Sequence, residues 1–150
     1  MKKVSCIIPV YNEGPRIGEV LNIVTKSTFL HEIIVVDDGS KDNTVEVVKT
    51  YPAVKLIIHE KNKGKSAAIN TGFKSADGEY IFFLDADLEG LRVENLNDLI
   101  QPIINSKADI SISLRKNAPG FWKMIGLDYI SGERVFKKEV LENIIDDVIN

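Results

Sequence analysis

Asp85-Ala86-Asp87 places two carboxylates at i and i+2 directly after the apolar run Tyr80-Ile81-Phe82-Phe83-Leu84. Alternate residues of an extended segment point the same way, so both carboxylates can serve one face. Hard oxygen donors with room for water and phosphate oxygens suit Mg2+ or Mn2+. The plainer reading is an Asp pair that ends a strand and caps a turn. Its position between a hydrophobic strand and a sheet rim weighs against that.

Asp37-Asp38-Gly39-Ser40 follows another apolar run, Ile33-Ile34-Val35-Val36. A strand-to-helix turn explains part of it, with Gly39 at positive φ and Ser40 or Asp42 capping the next helix. Such a turn needs one Asx residue, so one of the two carboxylates, Asp37 or Asp38, is expected to be free to accept from a base N–H or a ribose hydroxyl. Gly64-Lys65-Ser66 has the tail of a P-loop, but the earlier glycine of that motif is replaced by His59, which excludes an ATPase reading. What remains is a glycine turn into a helix start beside Lys61, Lys63 and Lys65, with Lys65 the best candidate for a phosphate or a base. His31 and His59 have no partner at ligand spacing and read as surface or strand-end residues. Phe121 and Trp122 can pack in the core or cover a site.

The elements that must position these groups follow from periodicity. Val4–Val10, Glu32–Val36, Val54–Ile58, Tyr80–Leu84 and Ile110–Leu114 are short, β-branched or aromatic runs bounded by turn residues, which predicts five strands. Between them, Ile17, Val20, Leu21 and Val24 fall at helical spacing behind Pro15. Thr44–Tyr51, Ser66–Ala76 and Glu94–Asn105 predict three more helices, the last kinked or shortened by Pro102. Lys137–Asn150 predicts a final one. Alternating strands and helices imply an α/β fold with a mainly parallel sheet flanked by helices on both faces, in one domain over residues 1–150. Ligands of such sheets bind outside the carboxyl ends of the strands. There the chain places Glu13, Asp37, Asp38, Asp85 and Asp87 beside a basic loop, a gathering that costs Coulomb energy unless cations or donors satisfy it.

Composition narrows the class. With 150 residues, 44% hydrophobic and 27% charged, the chain fits one soluble domain. A net charge of −3 offers no attraction to nucleic acid. One cysteine, Cys6, fits a reducing compartment, and no apolar run approaches the roughly 18 residues of a membrane span. The expectation is a cytoplasmic protein, with the inner face of a membrane as a second location.

Four blocks then carry a resemblance. Cys6-Ile7-Ile8-Pro9-Val10-Tyr11-Asn12-Glu13, Ile33-Ile34-Val35-Val36-Asp37-Asp38-Gly39-Ser40, Asn62-Lys63-Gly64-Lys65 with Ala67-Ala68-Ile69-Asn70-Thr71-Gly72, and Phe83-Leu84-Asp85-Ala86-Asp87 occur in order. They resemble family 2 glycosyltransferases of the GT-A, Rossmann-like fold, over about the first 90 residues. Ser131-Gly132-Glu133-Arg134 is similar to a segment of the polyprenyl-phosphate sugar transferase branch. The resemblance implies that Pro9, Tyr11, Glu13, Asp37 and Asp38 cradle the nucleoside, with Lys65 near the base or diphosphate. It implies that Asp85 faces the nucleotide and Asp87 coordinates the metal. Arg115 and Arg134 would grip an acceptor phosphate. Against the family, the chain is short beyond Arg134.

The reaction so implied is inverting transfer of a hexose from a UDP- or GDP-sugar to a glycan or polyprenyl-phosphate acceptor. An alcohol acceptor needs a carboxylate base, for which Asp128 and Glu133 are nearest, whereas a phosphate acceptor needs none. Two rivals stand beside it. A haloacid-dehalogenase-like phosphohydrolase also uses Asp-x-Asp, but wants Thr or Val where Glu89 stands and normally uses the first strand. The other is a non-catalytic nucleotide-sugar-binding module. Finally, Val140, Leu141, Ile144, Ile145, Val148 and Ile149 form an apolar stripe opposite Glu142, Asp146 and Asp147. It covers the chain's own sheet or meets a second copy in a homodimer. Its acidic face disfavours lipid insertion. Peripheral membrane contact stands as a separate expectation.

Overall fold

The computed structural model describes residues 2–114 and 130–142, so Arg115, Phe121, Trp122, Asp128 and the stripe from Ile144 onward lie outside the described residues. Six strands are present among them: β1 (Val4–Val10), β2 (Leu30–Asp37), β3 (Val54–Ile58), β4 (Tyr80–Phe83), β5 (Ile110–Leu114) and β6 (Ile130–Lys137). Helices α1 (Gly14–Val24), α2 (Thr44–Lys49), α3 (Lys65–Ser75) and α4 (Val93–Ile104) alternate with the strands, and α5 (Lys138–Glu142) follows β6.

The sheet order is β3-β2-β1-β4-β6-β5. The ladders β1/β2, β1/β4 and β2/β3 are parallel. Those of β6 with β4 and with β5 are antiparallel. The five-strand expectation therefore missed β6. Its first half, Ile130-Ser131-Gly132-Glu133-Arg134, lacks an apolar run; Ile130 pairs with Leu114 of β5, and Arg134 pairs with Ile112 of β5 and Phe83 of β4. Order in the chain reverses between β1 and β4, which opens a crevice between their carboxyl ends.

Two cores lie on opposite faces. Cys6, Ile8, Val35, Phe82 and Val135 pack with Ile17, Leu21, Leu96 and Ile100 from the α1, α2 and α4 layer. Ile7, Ile34, Val36, Ile81, Phe83 and Phe136 pack with Ala68 and Phe73 of α3 and Leu141 of α5. Strand residues alternate between these clusters, so parity along a strand says which face each later side chain serves. Gly72 lets α3 close on β1: a Cβ there would lie 2.4 Å from Ile7 Cγ2. Pro102 sits near the end of α4 and the helix continues through it to Ile104. Of the predicted C-terminal stripe, Leu141 is buried in the second core while Val140 is 38% exposed. No helix among the described residues is long and apolar enough to cross a membrane.

Candidate functional site

The crevice begins with two loops tied together. After β1, the Asn12 N–H donates to Ser40 Oγ at 2.9 Å, and Asn12 Oδ1 accepts from the Lys41 N–H at 2.8 Å. The Glu13 N–H donates to Thr44 Oγ1 at 2.9 Å and the Gly14 N–H to Asp42 Oδ2 at 3.1 Å. Asn12 takes φ 55°, a conformation asparagine tolerates better than most residues. Asp42 also accepts from the Thr44 N–H at the start of α2. Partial burial would raise its pKa, but its hydrogen bonds with Thr44 and Gly14 outweigh that and hold it below the ordinary carboxylate range. These ties fix Tyr11 and Glu13 relative to β2, and Glu13 pairs with Arg16 at 2.7 Å.

Asp37 and Asp38 separate by parity. Asp37 Oδ2 accepts from the N–H groups of Gly39 and Ser40 at 3.1 and 3.0 Å, so Asp37 builds the turn, and Gly39 takes the expected positive φ of 78°. With Asp37 in the turn, Asp38 would be the carboxylate left free, and it is not. Its Oδ1 lies 2.7 Å from His59 Nδ1 and 2.9 Å from the Lys63 nitrogen, and its Oδ2 accepts from the Gly64 N–H at 2.7 Å. The carboxylate is filled by the loop after β3. Burial would raise its pKa, but the His59, Lys63 and Gly64 interactions prevail and hold it below the usual range.

His59 is the residue sequence reasoning missed. It is buried at the end of β3 and its Nε2 lies 2.9 Å from Thr71 Oγ1 of α3, so it bridges Asp38 to the helix that carries Lys65. Its partners are 21 and 12 residues away, beyond any motif window. The available signal was a histidine ending the strand next to one that ends in two aspartates. Gly39 completes the contact: a Cβ there would meet the Lys61 carbonyl carbon at 2.8 Å.

Asp85 leaves the β4 end opposite Leu84 and Ala86, which join the first core. Lys65 Nζ reaches its Oδ1 at 2.6 Å. A cleft of about 280 Å3 is lined here by Pro9, Tyr11 and Glu13 on one side and by Asp38, Lys65, Asp85 and Asp87 on the other. Seven of the predicted positions thus share one cleft, while Asp37 lies beneath it in the turn. Glu133 and Arg134 do not line the cleft. Glu133 lies in a second cavity of about 290 Å3 beside α4, and Arg134, two residues before Phe136, leaves β6 on the opposite face.

Comparison with known proteins gives a consistent picture. A sequence profile described as glycosyl transferase family 2 matches residues 5–145. The chain is 35% identical over 153 aligned residues to the poly(ribitol-phosphate) beta-N-acetylglucosaminyltransferase TarP of Staphylococcus aureus, covering 97% of this chain and 46% of that protein. It is 34% identical over 172 residues to the dolichol-phosphate mannosyltransferase of Pyrococcus furiosus, covering 95% and 48%. Among solved structures, the mannosyltransferase PcManGT from Pyrobaculum calidifontis in complex with GDP-Man and Mn2+ superimposes with a TM-score of 0.76 at 28% identity, covering 94% of this chain and 46% of that one. The chain spans less than half the length of these relatives.

Proposed function

The chain belongs to glycosyl transferase family 2, and from that premise we propose that its cleft holds a UDP- or GDP-sugar whose hexose passes, with inversion, to an acceptor. The observation that carries the reading is the convergence of Asp38, Lys65, Asp85 and Asp87 on one cleft where the strand order reverses.

Pro9, Tyr11 and Glu13 form the wall for the nucleoside, and Tyr11, 43% exposed, offers its ring to the base. Asp38 shapes the opposite wall by holding Lys63 and Gly64 in place. Lys65 exchanges Asp85 for a diphosphate oxygen. Asp85 and Asp87 are hard donors suited to Mg2+ or Mn2+, and among the described residues no three His, Cys, Asp or Glu gather to hold an ion alone. That fits an ion completing its shell with water and phosphate oxygens. When bound, it supplies electrostatic stabilisation for the departing diphosphate. Arg134 gives the α3 side a guanidinium for a phosphate of donor or acceptor.

Attack from the face opposite the diphosphate inverts the anomeric centre. A phosphate acceptor arrives ionised, whereas an alcohol must lose a proton to a base. Nucleoside diphosphate release from a panel of UDP- and GDP-hexoses with Mn2+ tests the reading. Release that disappears in Asp87→Ala supports it. Release of inorganic phosphate, or donor binding with no turnover across the panel, contradicts it.

A further inference from the structure

The buried residues of α3 are Ala68, Gly72 and Phe73, and a Cβ on Gly72 would lie 2.4 Å from Ile7 Cγ2 and 3.2 Å from Val36 Cγ2. Small side chains over the first two turns let the helix approach the sheet closely. They raise only low ridges, so its position along its own axis falls to directional bonds. Near its far end, Lys55 Nζ reaches the Ser75 carbonyl at 3.0 Å and Lys138 Nζ the Ala76 carbonyl at 2.8 Å, both through long flexible stems. Within the helix the tie is short and stiff: Thr71 Oγ1 meets His59 Nε2 at 2.9 Å, and His59 Nδ1 meets Asp38 Oδ1 at 2.7 Å. The side chains of His59 and Asp38 are 6% and 4% exposed. An Asp38 carboxylate only accepts, which puts a proton on Nδ1 and leaves Nε2 to the Thr71 hydroxyl.

We propose that His59 and Thr71 are positioning residues for Lys65: their hydrogen bond sets α3 against the Asp38 wall at the spacing a nucleoside diphosphate needs. The inference rests on the donor reading above. Thr71 lies six residues beyond Lys65 on the same helix, about 9 Å at 1.5 Å per residue, so a slip at Thr71 carries Lys65 with it. Asp38 also holds the N–H groups of Lys63 and Gly64, which immediately precede Lys65. Lys65 therefore stands between two ties to one carboxylate, one through the loop and one through His59 and the helix. The two can be cut separately. Valine has the shape of threonine without the hydroxyl, so Thr71→Val opens the second tie and leaves the first. His59→Asn opens it from the other side, because an asparagine amide nitrogen can take the place of Nδ1 while the side chain ends short of Thr71.

Isothermal calorimetry of UDP and GDP with Mn2+ reads the tie. Thr71→Val and His59→Asn are each expected to weaken nucleotide binding about threefold or more, the scale of one hydrogen bond. Thr71→Ser, which keeps the hydroxyl, should stay within about 1.5-fold of wild type. In a Lys65→Met background, Thr71→Val should change affinity less than about 1.5-fold, because its effect runs through Lys65. A second readout needs no nucleotide. In protein with 13C-labelled lysine, the Lys65 Cε signal is identified by its loss in Lys65→Met. Thr71→Val is expected to move it toward its position in Asp85→Asn, and Thr71→Ser to leave it in place. The proposal is overturned if Thr71→Val keeps wild-type affinity, if it weakens binding as much without Lys65 as with it, as a general loosening of the fold would, or if it leaves the Lys65 signal unmoved. Should neither UDP nor GDP bind wild type, the donor reading fails, while the Lys65 signal still decides whether His59 and Thr71 place that lysine.

Discussion

Lys65 Nζ lies 2.6 Å from Asp85 Oδ1 across the cleft, yet the Lys65 side chain is 61% exposed and that of Asp85 only 12%. An ion pair with one partner this exposed contributes at most about 1 kcal/mol to folding. Its place in the cleft is better explained by charge balance: the ammonium sits against a carboxylate two residues from Asp87, and under the proposed function it would pass to a phosphate of the donor.

Lys65→Met should therefore leave stability within about 1 kcal/mol of wild type in urea unfolding. Affinity for UDP or GDP should fall at least tenfold, equivalent to about 1.4 kcal/mol. Unchanged affinity would return Lys65 to the solvated surface of α3.

Asp38→Asn addresses the wall opposite Tyr11. Asparagine keeps one acceptor but loses the charge that holds His59, Lys63 and Gly64, so unfolding free energy should drop by about 1–3 kcal/mol and nucleotide affinity should fall with it. Asp38 has a lowered folded-state pKa, so the stability it contributes is fully present above the ordinary carboxylate pKa and is lost as pH falls through the lower folded value. Urea unfolding from pH 7 down to pH 2 should show wild type losing more stability on acidification than Asp38→Asn. Parallel pH curves would remove the carboxylate from this role.

Gly39→Ala combines a φ of 78° with a Cβ 2.8 Å from the Lys61 backbone, which cannot rotate away. The expected cost is about 1–3 kcal/mol, with weaker nucleotide binding because the loop carrying Lys63 must retreat. Gly64→Ala, also at positive φ but with open space around its Cβ, should cost less. Thermal unfolding of the two variants side by side checks the order.

Much of this architecture was legible because its strands are locally apolar. Val4–Val10 and Val54–Ile58 match their predicted limits, and β2 extends its prediction from Glu32–Val36 to Leu30–Asp37. The site was legible at the level of strand ends, since topology alone brings the residues after β1, β2 and β4 to one rim. What stayed hidden depends on pairing across the chain. The β6 segment around Ser131-Gly132-Glu133 is held in the sheet by the pairing of Ile130 and Arg134 with β5, with β4 pairing only from Arg134 onward. Asp38 looked free because its donors come from the loop after β3, and His59 looked idle because its partners are distant in sequence. The ties from Asn12 and Asp42 were hidden likewise, linking residues 28 or 29 positions apart.

The central claim is that the cleft between the ends of β1, β2 and β4 takes a nucleoside diphosphate with a divalent ion at Asp85 and Asp87. Isothermal calorimetry of UDP and GDP, each with Mn2+ and with EDTA, on wild type and Asp87→Ala, tests it most directly. The account predicts that at least one nucleotide binds, that EDTA weakens it at least tenfold, about 1.4 kcal/mol, and that Asp87→Ala abolishes this Mn2+ dependence without unfolding the protein. No binding of either nucleotide, or equal affinity with Mn2+ and with EDTA, would contradict it.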